Sequence, residues 1–187
     1  MKRFFTKDIN SPKYWDTHQT ATDFGLRQKK YLRLAGKGTR IAEFGCGVSQ
    51  FLDKAQTKFS ECWGIDFSHE TMRNFDFLYP NVNRLVSDVQ DTPFPRKYFD
   101  ISVSGEVIEH LKEPENLIKE MARTTKYKII ISTPHLEFED PEHLWEFSGD
   151  DLLDMLTPYG DTKVETIKSE RFPGREYLFA TCTLKKL

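Results

Sequence analysis

The 187-residue sequence holds only three cysteines, Cys46, Cys62 and Cys182, an odd number without a C-x-x-C pair. That usage offers neither a disulfide framework nor a zinc site, and each cysteine lies in or beside an apolar stretch, so reduced, small core residues are expected. No apolar run approaches the ~18 residues of a membrane-spanning helix. The start of the chain, Met1 to Asp8, has no apolar core of signal-peptide length. A cytoplasmic protein with no membrane partner is expected. Neither sign of charge dominates, since 27 Lys and Arg against 29 Asp and Glu leave a net −2, and this gives no global attraction for nucleic acid. The sequence has no internal repeat or low-complexity tract and is too short for two ordinary domains. A single domain over residues 1–187 is expected, with an N-terminal helical lid segment (1–35) and a core (36–187).

The most informative absence is local. From Ile41 to Asp53, around a glycine turn, there is no lysine or arginine. Ile41-Ala42-Glu43-Phe44-Gly45-Cys46-Gly47 reads as a buried strand running into a turn whose glycines permit φ > 0 and close approach of a ligand to the backbone. Helical periodicity resumes at Phe51, Leu52, Ala55 and Phe59, so this is a strand-to-helix junction, where open α/β sheets bind ligands. A phosphate cradle would read G-x-x-x-x-G-K-[ST]. A dinucleotide turn would carry a glycine at the sixth position, which here is Gln50. An acid, Glu43, precedes the turn instead. An acidic glycine turn free of phosphate ligands suits a positively charged nucleoside.

The remaining chain alternates strands and helices. A helix is expected from Asp23 to Ala35; its basic residues Arg27, Lys29, Lys30 and Arg33, with Lys37 and Arg40, read as a solvated face more readily than as a phosphate-binding strip. Before it, Pro12-Lys13-Tyr14-Trp15-Asp16 offers aromatics that either lid a pocket or pack on the sheet. The first strand is expected near 40–44, with its helix running to Phe59. Further strands follow at 62–66, 83–88, 99–104 and 128–134, the last buried on both faces by its continuous apolar run. A helix runs to about Leu78, and another spans Glu115 to Arg123. Asp91-Thr92-Pro93-Phe94-Pro95 reads as a crossing connection. Ser148-x-x-Asp151 has the form of a capping box opening a helix that stops at Pro158-Tyr159-Gly160. Two strands near 163–168 and 176–184, joined through Phe172-Pro173-Gly174-Arg175, read as a closing hairpin.

Glu43-x-Gly45-x-Gly47, followed by Asp66 at the carboxyl end of the next strand, resembles the first two signatures of the class I S-adenosylmethionine-dependent methyltransferases. The resemblance runs from about Arg40 to the C-terminus. It departs at Ser49, where the family often has a third glycine; a serine there can cap the helix. It implies an α/β Rossmann-like sheet of seven strands in the order 3-2-1-4-5-7-6, the last antiparallel, flanked by helices. The implied cofactor is S-adenosyl-L-methionine, held at Glu43, Gly45 and Gly47. Asp66 would accept the ribose hydroxyls, Phe67 would pack on the adenine, Asp88 would accept its exocyclic amine, and the Val89 N–H would meet a ring nitrogen. The competing role for Asp66 is to cap the helix starting at His69.

Beyond the fourth strand, Gly105-Glu106-Val107-Ile108-Glu109-His110-Leu111, if helical, places Glu106, Glu109 and His110 on one face. Residues 135–147 form the longest irregular stretch, and its aromatics and histidines are placed to select a substrate. The leading expectation is methyl transfer to a small-molecule acceptor, a hydroxyl, with His110 as the base. Glu106, Glu109 and His110, with His143 ahead of Trp145-Glu146-Phe147, also resemble the metal-binding set of small-RNA 3′-terminal 2′-O-methyltransferases. That alternative implies Mg²⁺ or Mn²⁺ and an RNA partner. Generic small-molecule members carry a similar pattern as a structural feature. A third reading is a silent binding module that keeps only the fold. Nothing in the sequence sets the oligomeric state.

Overall fold

The computed structural model describes residues 22–48, 50–135, 143–169 and 173–186. The elements in chain order are α1 (Thr22–Ala35), β1 (Gly38–Phe44), α2 (Phe51–Ala55), β2 (Phe59–Asp66), α3 (His69–Leu78), β3 (Asn83–Val86) and β4 (Phe99–Gly105). A short 3₁₀ turn at Ile108–His110 leads to α4 (Pro114–Thr124), β5 (Thr125–Pro134), α5 (Gly149–Leu156), β6 (Gly160–Lys168) and β7 (Glu176–Leu184). One seven-stranded sheet has the order β3-β2-β1-β4-β5-β7-β6, as the family resemblance implies. β1 to β5 pair in parallel, and β7 runs antiparallel to both neighbours. Among the described residues no helix is long and apolar enough to cross a membrane.

The central strands are buried on both faces, which is why β5 carries the unbroken apolar run Ile129-Ile130-Ile131. Successive residues of β5 alternate sides: Ile129 and Ile131 join Phe44, Phe99, Leu117, Met121, Leu152 and Leu156 under α4 and α5. Ile130 joins Ile41, Phe51, Leu52, Tyr31 and Phe179 under α1 and α2. The capping box of α5 is formed: Ser148 Oγ accepts the Asp151 N–H, and the Asp151 carboxylate accepts the Ser148 N–H. All three cysteines are free and buried, and burial pushes the Cys62 thiol up to about 12.

Two local expectations are corrected. The helix after the glycine turn ends at Ala55 instead of reaching Phe59, because Phe59 pairs with Gly38 and begins β2. The basic residues of α1 are not all solvated: Lys29, Arg33 and Lys37 are exposed, but Arg27 and Lys30 retain only 8% and 9% exposure. Lys30 pairs with Glu165 of β6 and lies over the Phe179 ring. Arg27 lies over Tyr177, 4.6 Å from its centroid. Lys58 and Lys128 donate to the Leu32 and Leu34 carbonyls at 3.0 and 2.7 Å, placing cations where the last turn of α1 has unmet acceptors. Thus α1 packs on the sheet by long-range contacts. The aromatics at 12–16 that raised the lid expectation lie outside the described residues.

The connection between β3 and β4 is fixed by one ion pair. Glu120 on α4 accepts the Thr92 N–H (2.9 Å) and hydroxyl, and Arg123 holds the same carboxylate at 2.6 Å while donating to the Phe94 and Thr92 carbonyls at 2.7 and 3.0 Å. Burial opposes the charge on Glu120, but the donors from Arg123 and Thr92 outweigh it and hold its carboxyl below the usual glutamate range. Glu120→Ala is expected to lower the unfolding free energy by ~1.5–3 kcal/mol at neutral pH, the range for hydrogen bonds to a charged group. Because the folded-state value is depressed, this stabilisation is present above the ordinary glutamate value and is lost as pH falls through the folded one. Urea unfolding of parent and variant should therefore differ at about pH 7, and the gap should narrow as pH falls through the folded-state value.

Candidate active site

The chain reverses at Gly45 and Gly47, with φ of 72° and 51°, a region that side chains disfavour. Gly45 and Cys46 both donate to the Ile65 carbonyl, at 2.8 and 3.0 Å, so the turn leans on the end of β2. Asp66 completes the join: its Oδ2 accepts the Gly47 N–H and its Oδ1 the Ser68 N–H, each at 3.0 Å. Burial pushes the Asp66 carboxyl up, and the backbone donors Ser68, Gly47 and Phe67 pull it partly back. The cap of α3 is made by Ser68, whose Oγ accepts the Thr71 N–H, so Asp66 is not the side chain in the capping position. At α2 the capping residue is Gln50, without a side-chain cap bond, and Ser49 lies outside the described residues.

These elements enclose a cavity of about 320 Å³ at the carboxyl ends of β1, β2, β3 and β4. One wall is Gly45, Asp66 and Phe67; another is Asp88, Val89 and Gln90; the third is Glu106, Val107, His110 and Leu111. Of the sequence-predicted cofactor residues, five line it: Gly45, Asp66, Phe67, Asp88 and Val89. Glu43, buried within β1, and Gly47 are not among its lining. Phe67 is 50% exposed, an apolar side chain left open to solvent in the cavity wall. Asp88 is exposed and accepts the Gln90 N–H at 2.9 Å.

The third wall differs from expectation. Residues 106–110 do not form a helix with three ligands on one face. Glu106 instead takes a left-handed φ of 58°. Its N–H donates to the Ser132 carbonyl at 3.0 Å, its Oε1 accepts the Ser132 hydroxyl at 2.8 Å, and its Oε2 pairs with Arg27 Nη1 at 2.7 Å. Tyr31, one turn beyond Arg27 on α1, shares the Ser132 hydroxyl. Burial acts to lower the Arg27 guanidinium, but Glu106 together with Tyr31, Tyr177 and Glu109 outweighs it and the net shift is upward. Glu106 therefore stands apart from the other three candidate metal ligands. Glu109, His110 and His143 do converge, with one potential ligand atom from each lying within 4.8 Å of the others. The two imidazole rings lie edge to face at 5.0 Å. Glu109 is 1% exposed; Thr133 donates to its Oε2 at 3.1 Å, and its Oε1 lies 4.0 Å from His110 Nε2. Burial, then the nearby Glu106 charge, push its carboxyl well up. His143 reaches this place because the Leu144 and Trp145 N–H groups both donate to the Glu109 carbonyl, at 2.8 and 3.2 Å. Residues 136–142, within the stretch expected to select substrate, lie outside the described residues.

Sequence reasoning missed Arg27, Tyr31 and Ser132. The only hint was that Arg27 and Tyr31, four apart, share a helix face. The Ser132 partner is visible only in the folded sheet.

The sequence matches the family profile "Methyltransferase domain" over residues 42–129, which spans β1 to the middle of β5. That stretch, just under half of the chain, carries the glycine turn, Asp66, Asp88 and His110 and is similar to the methyltransferase domain. Among the curated proteins that resemble the chain, a probable S-adenosylmethionine-dependent methyltransferase of Mycobacterium tuberculosis is 26% identical over 165 residues, covering 82% of this chain and 57% of the relative. Ajmaline N-methyltransferase of Rauvolfia serpentina is 29% identical over 116 residues, covering 57% of this chain and 40% of the relative. The chain thus spans little more than half the length of the first curated relatives it matches. The YcgJ protein of Bacillus subtilis has the same fold, with a TM-score of 0.71, 14% identity, and 88% and 98% of the two chains covered. So does a Haemonchus contortus phosphoethanolamine N-methyltransferase bound to phosphomonomethylethanolamine and S-adenosylhomocysteine, with a TM-score of 0.69, 14% identity, and 87% and 53% covered.

The family's cofactor fits the residues present. The cavity has the size of a small-ligand site, ~300–1,000 Å³ in general. Its lining holds three carboxylates and no lysine or arginine, which suits a cationic sulfonium and not a phosphate. A Cβ built on Gly45 would lie 2.3 Å from Val107 Cγ2, so this glycine is required by the opposite wall as well as by its φ. Gly45→Ala is accordingly expected to destabilise the fold by ~1–3 kcal/mol through overpacking and strain, besides weakening cofactor binding. Paired melting and calorimetric titration with S-adenosylhomocysteine check this; an unchanged melting temperature would show that Val107 yields freely.

Proposed function

We propose that this chain transfers the methyl group of S-adenosyl-L-methionine to the hydroxyl of a small-molecule acceptor, with His110 as the base. The observation that carries this reading is the acid-lined cavity at the glycine turn, on whose third wall His110 stands. The cofactor supplies a methyl group already activated on a sulfonium, so the protein's task is to position, to exclude water and to accept a proton. Glu43 and the Gly45–Gly47 turn fix the backbone under the cofactor, Asp66 accepts its ribose hydroxyls, Phe67 covers the adenine, and Asp88 with the Val89 N–H reads the ring edge. Val107 and Leu111 close the wall beside His110 against water, and the His110 imidazole accepts the hydroxyl proton near neutral pH. An amine acceptor, of the kind that the name of the ajmaline relative states, would need no base if it arrived unprotonated. His110→Ala separates the two.

A second reading is favoured by the convergence of Glu109, His110 and His143: divalent-metal-dependent 2′-O-methylation at the 3′ end of a small RNA. Two imidazoles and a carboxylate suit Mn²⁺, and a metal beside vicinal ribose hydroxyls would acidify the attacking one. The net charge of −2 offers such a partner little attraction.

Asp66→Ala should weaken binding of both S-adenosylmethionine and S-adenosylhomocysteine by ~1.5–3 kcal/mol, since a charged acceptor is lost from the ribose and the turn alike. Parent-like binding of both ligands would reduce Asp66 to a brace for the turn. His110→Ala should lower the rate with a hydroxyl acceptor by ~10²–10⁴ at nearly unchanged S-adenosylhomocysteine affinity, and a chelator should leave the parent's rate intact. Chelator-sensitive methylation of a small RNA, restored by Mn²⁺ and lost in His143→Ala, would put the second reading in place of the first.

A further inference from the structure

The buried pair between Arg27 and Glu106 links a helix outside the cavity to the cavity wall, and the linkage rests on the cofactor reading of that cavity. Arg27 is not among the residues lining it. A left-handed φ is costly for a glutamate and persists only where the surroundings over-determine it. Here three partners do so. Ser132 accepts the Glu106 N–H and donates to one carboxylate oxygen, while Arg27 holds the other. Tyr31 fixes the Ser132 hydroxyl from the same face of α1. The residue after Glu106 is Val107, whose Cγ2 lies so close to Gly45 that a methyl group would not fit between them. The His110 N–H donates to the Val107 carbonyl at 3.0 Å. Any change in the Glu106 backbone therefore moves Val107 against the glycine turn and carries His110 with it.

The geometry points to Arg27 as a positioning residue for the cofactor pocket: by clamping Glu106 in its left-handed turn it sets Val107 against Gly45 and fixes the place of His110. Docking of α1 and cofactor binding are then coupled. The anchor that matters is Arg27 alone, because Lys30, the other buried cation of the helix, pairs with Glu165 on the far edge strand.

The test is calorimetric titration of the full chain with S-adenosylhomocysteine, alongside thermal melting, for Arg27→Gln, Glu106→Asn, the double variant and Lys30→Gln. Arg27→Gln should weaken binding by ~5-fold or more, the scale of ordinary coupling between distinct sites. The double variant should bind no worse than Arg27→Gln, because the two side chains act as one unit and removing both leaves no buried charge unpaired. Lys30→Gln should melt lower yet bind like the parent. If Arg27→Gln does not fold, Glu106→Asn carries the test, since asparagine tolerates the left-handed region but gives up the ion pair. It should lose affinity while remaining folded. Parent-like binding by folded Arg27→Gln, or by Glu106→Asn in its place, overturns the inference and leaves the cofactor reading standing. So does an equal loss in Lys30→Gln, which would reduce Arg27 to general anchoring of the helix. A parent that does not bind S-adenosylhomocysteine overturns the cofactor reading, and the inference with it.

Discussion

The Asp66 carboxylate ties together the ends of two parallel strands that no tight turn could join. β1 and β2 are held side by side along their length, but their exits diverge into different helices, and only side chains and free N–H groups can fix the turn there. Asp66 does this with one oxygen on each exit, Gly47 and Ser68. Both donors use lone pairs that do not exhaust a carboxylate, so the same group retains acceptor capacity toward a ligand in the cavity. The cavity's shape and its proposed chemistry thus hang on one buried anion, and burial of that anion already raises its proton affinity.

The two ends of the sheet treat acids differently. At the amino ends of the strands, Asp100 accepts the Thr39 and Arg40 N–H groups and pairs with Lys126. Near it Glu61 accepts from Arg40, Trp63 and Tyr98. Burial opposes these charges, yet the donors prevail and hold both carboxyls below their ordinary values. Both stabilise the fold above the ordinary carboxylate range and lose that effect in acid. At the carboxyl ends the signs reverse: Asp66 and Glu109 are pushed up by burial. Two acids of the cavity end, Asp66 and Glu109, are thus raised by burial, whereas Glu106 beside them is held by Ser132 and Arg27.

The legibility of the sequence follows the same division. β5 was readable because a strand buried on both faces needs a continuous apolar run, and the α5 start because a capping box is local to four residues. The glycine turn was readable because strand and turn follow one another directly, and Asp66 because it ends the very next strand. Glu106 was misread because its backbone is set by Ser132 and Arg27, and no local period reports a partner 79 residues away. Its neighbours Glu109 and His110 converge with His143 through backbone bonds from Leu144 and Trp145 to the Glu109 carbonyl and not through a helix. The basic face of α1 misled for a related reason: Arg27 and Lys30 find acids and aromatic rings on distant strands, and charge alone does not distinguish a solvated cation from one buried over a ring.

The contact between Lys30 and Glu165 joins residues 135 apart in the sequence, and Tyr31 packs on Phe179, farther still. A chain made from its amino end produces α1 long before β6 and β7 exist, so until those strands emerge the helix has only its early partners, such as Phe51 and Leu52, to pack against. A sheet of β1 to β4 leaves the outer edge of β4 open where β5 will pair, and such edges are where partly folded chains associate. Closure from the two ends of the polypeptide at once makes the slowest contacts to form also the ones that seat the helix carrying Arg27.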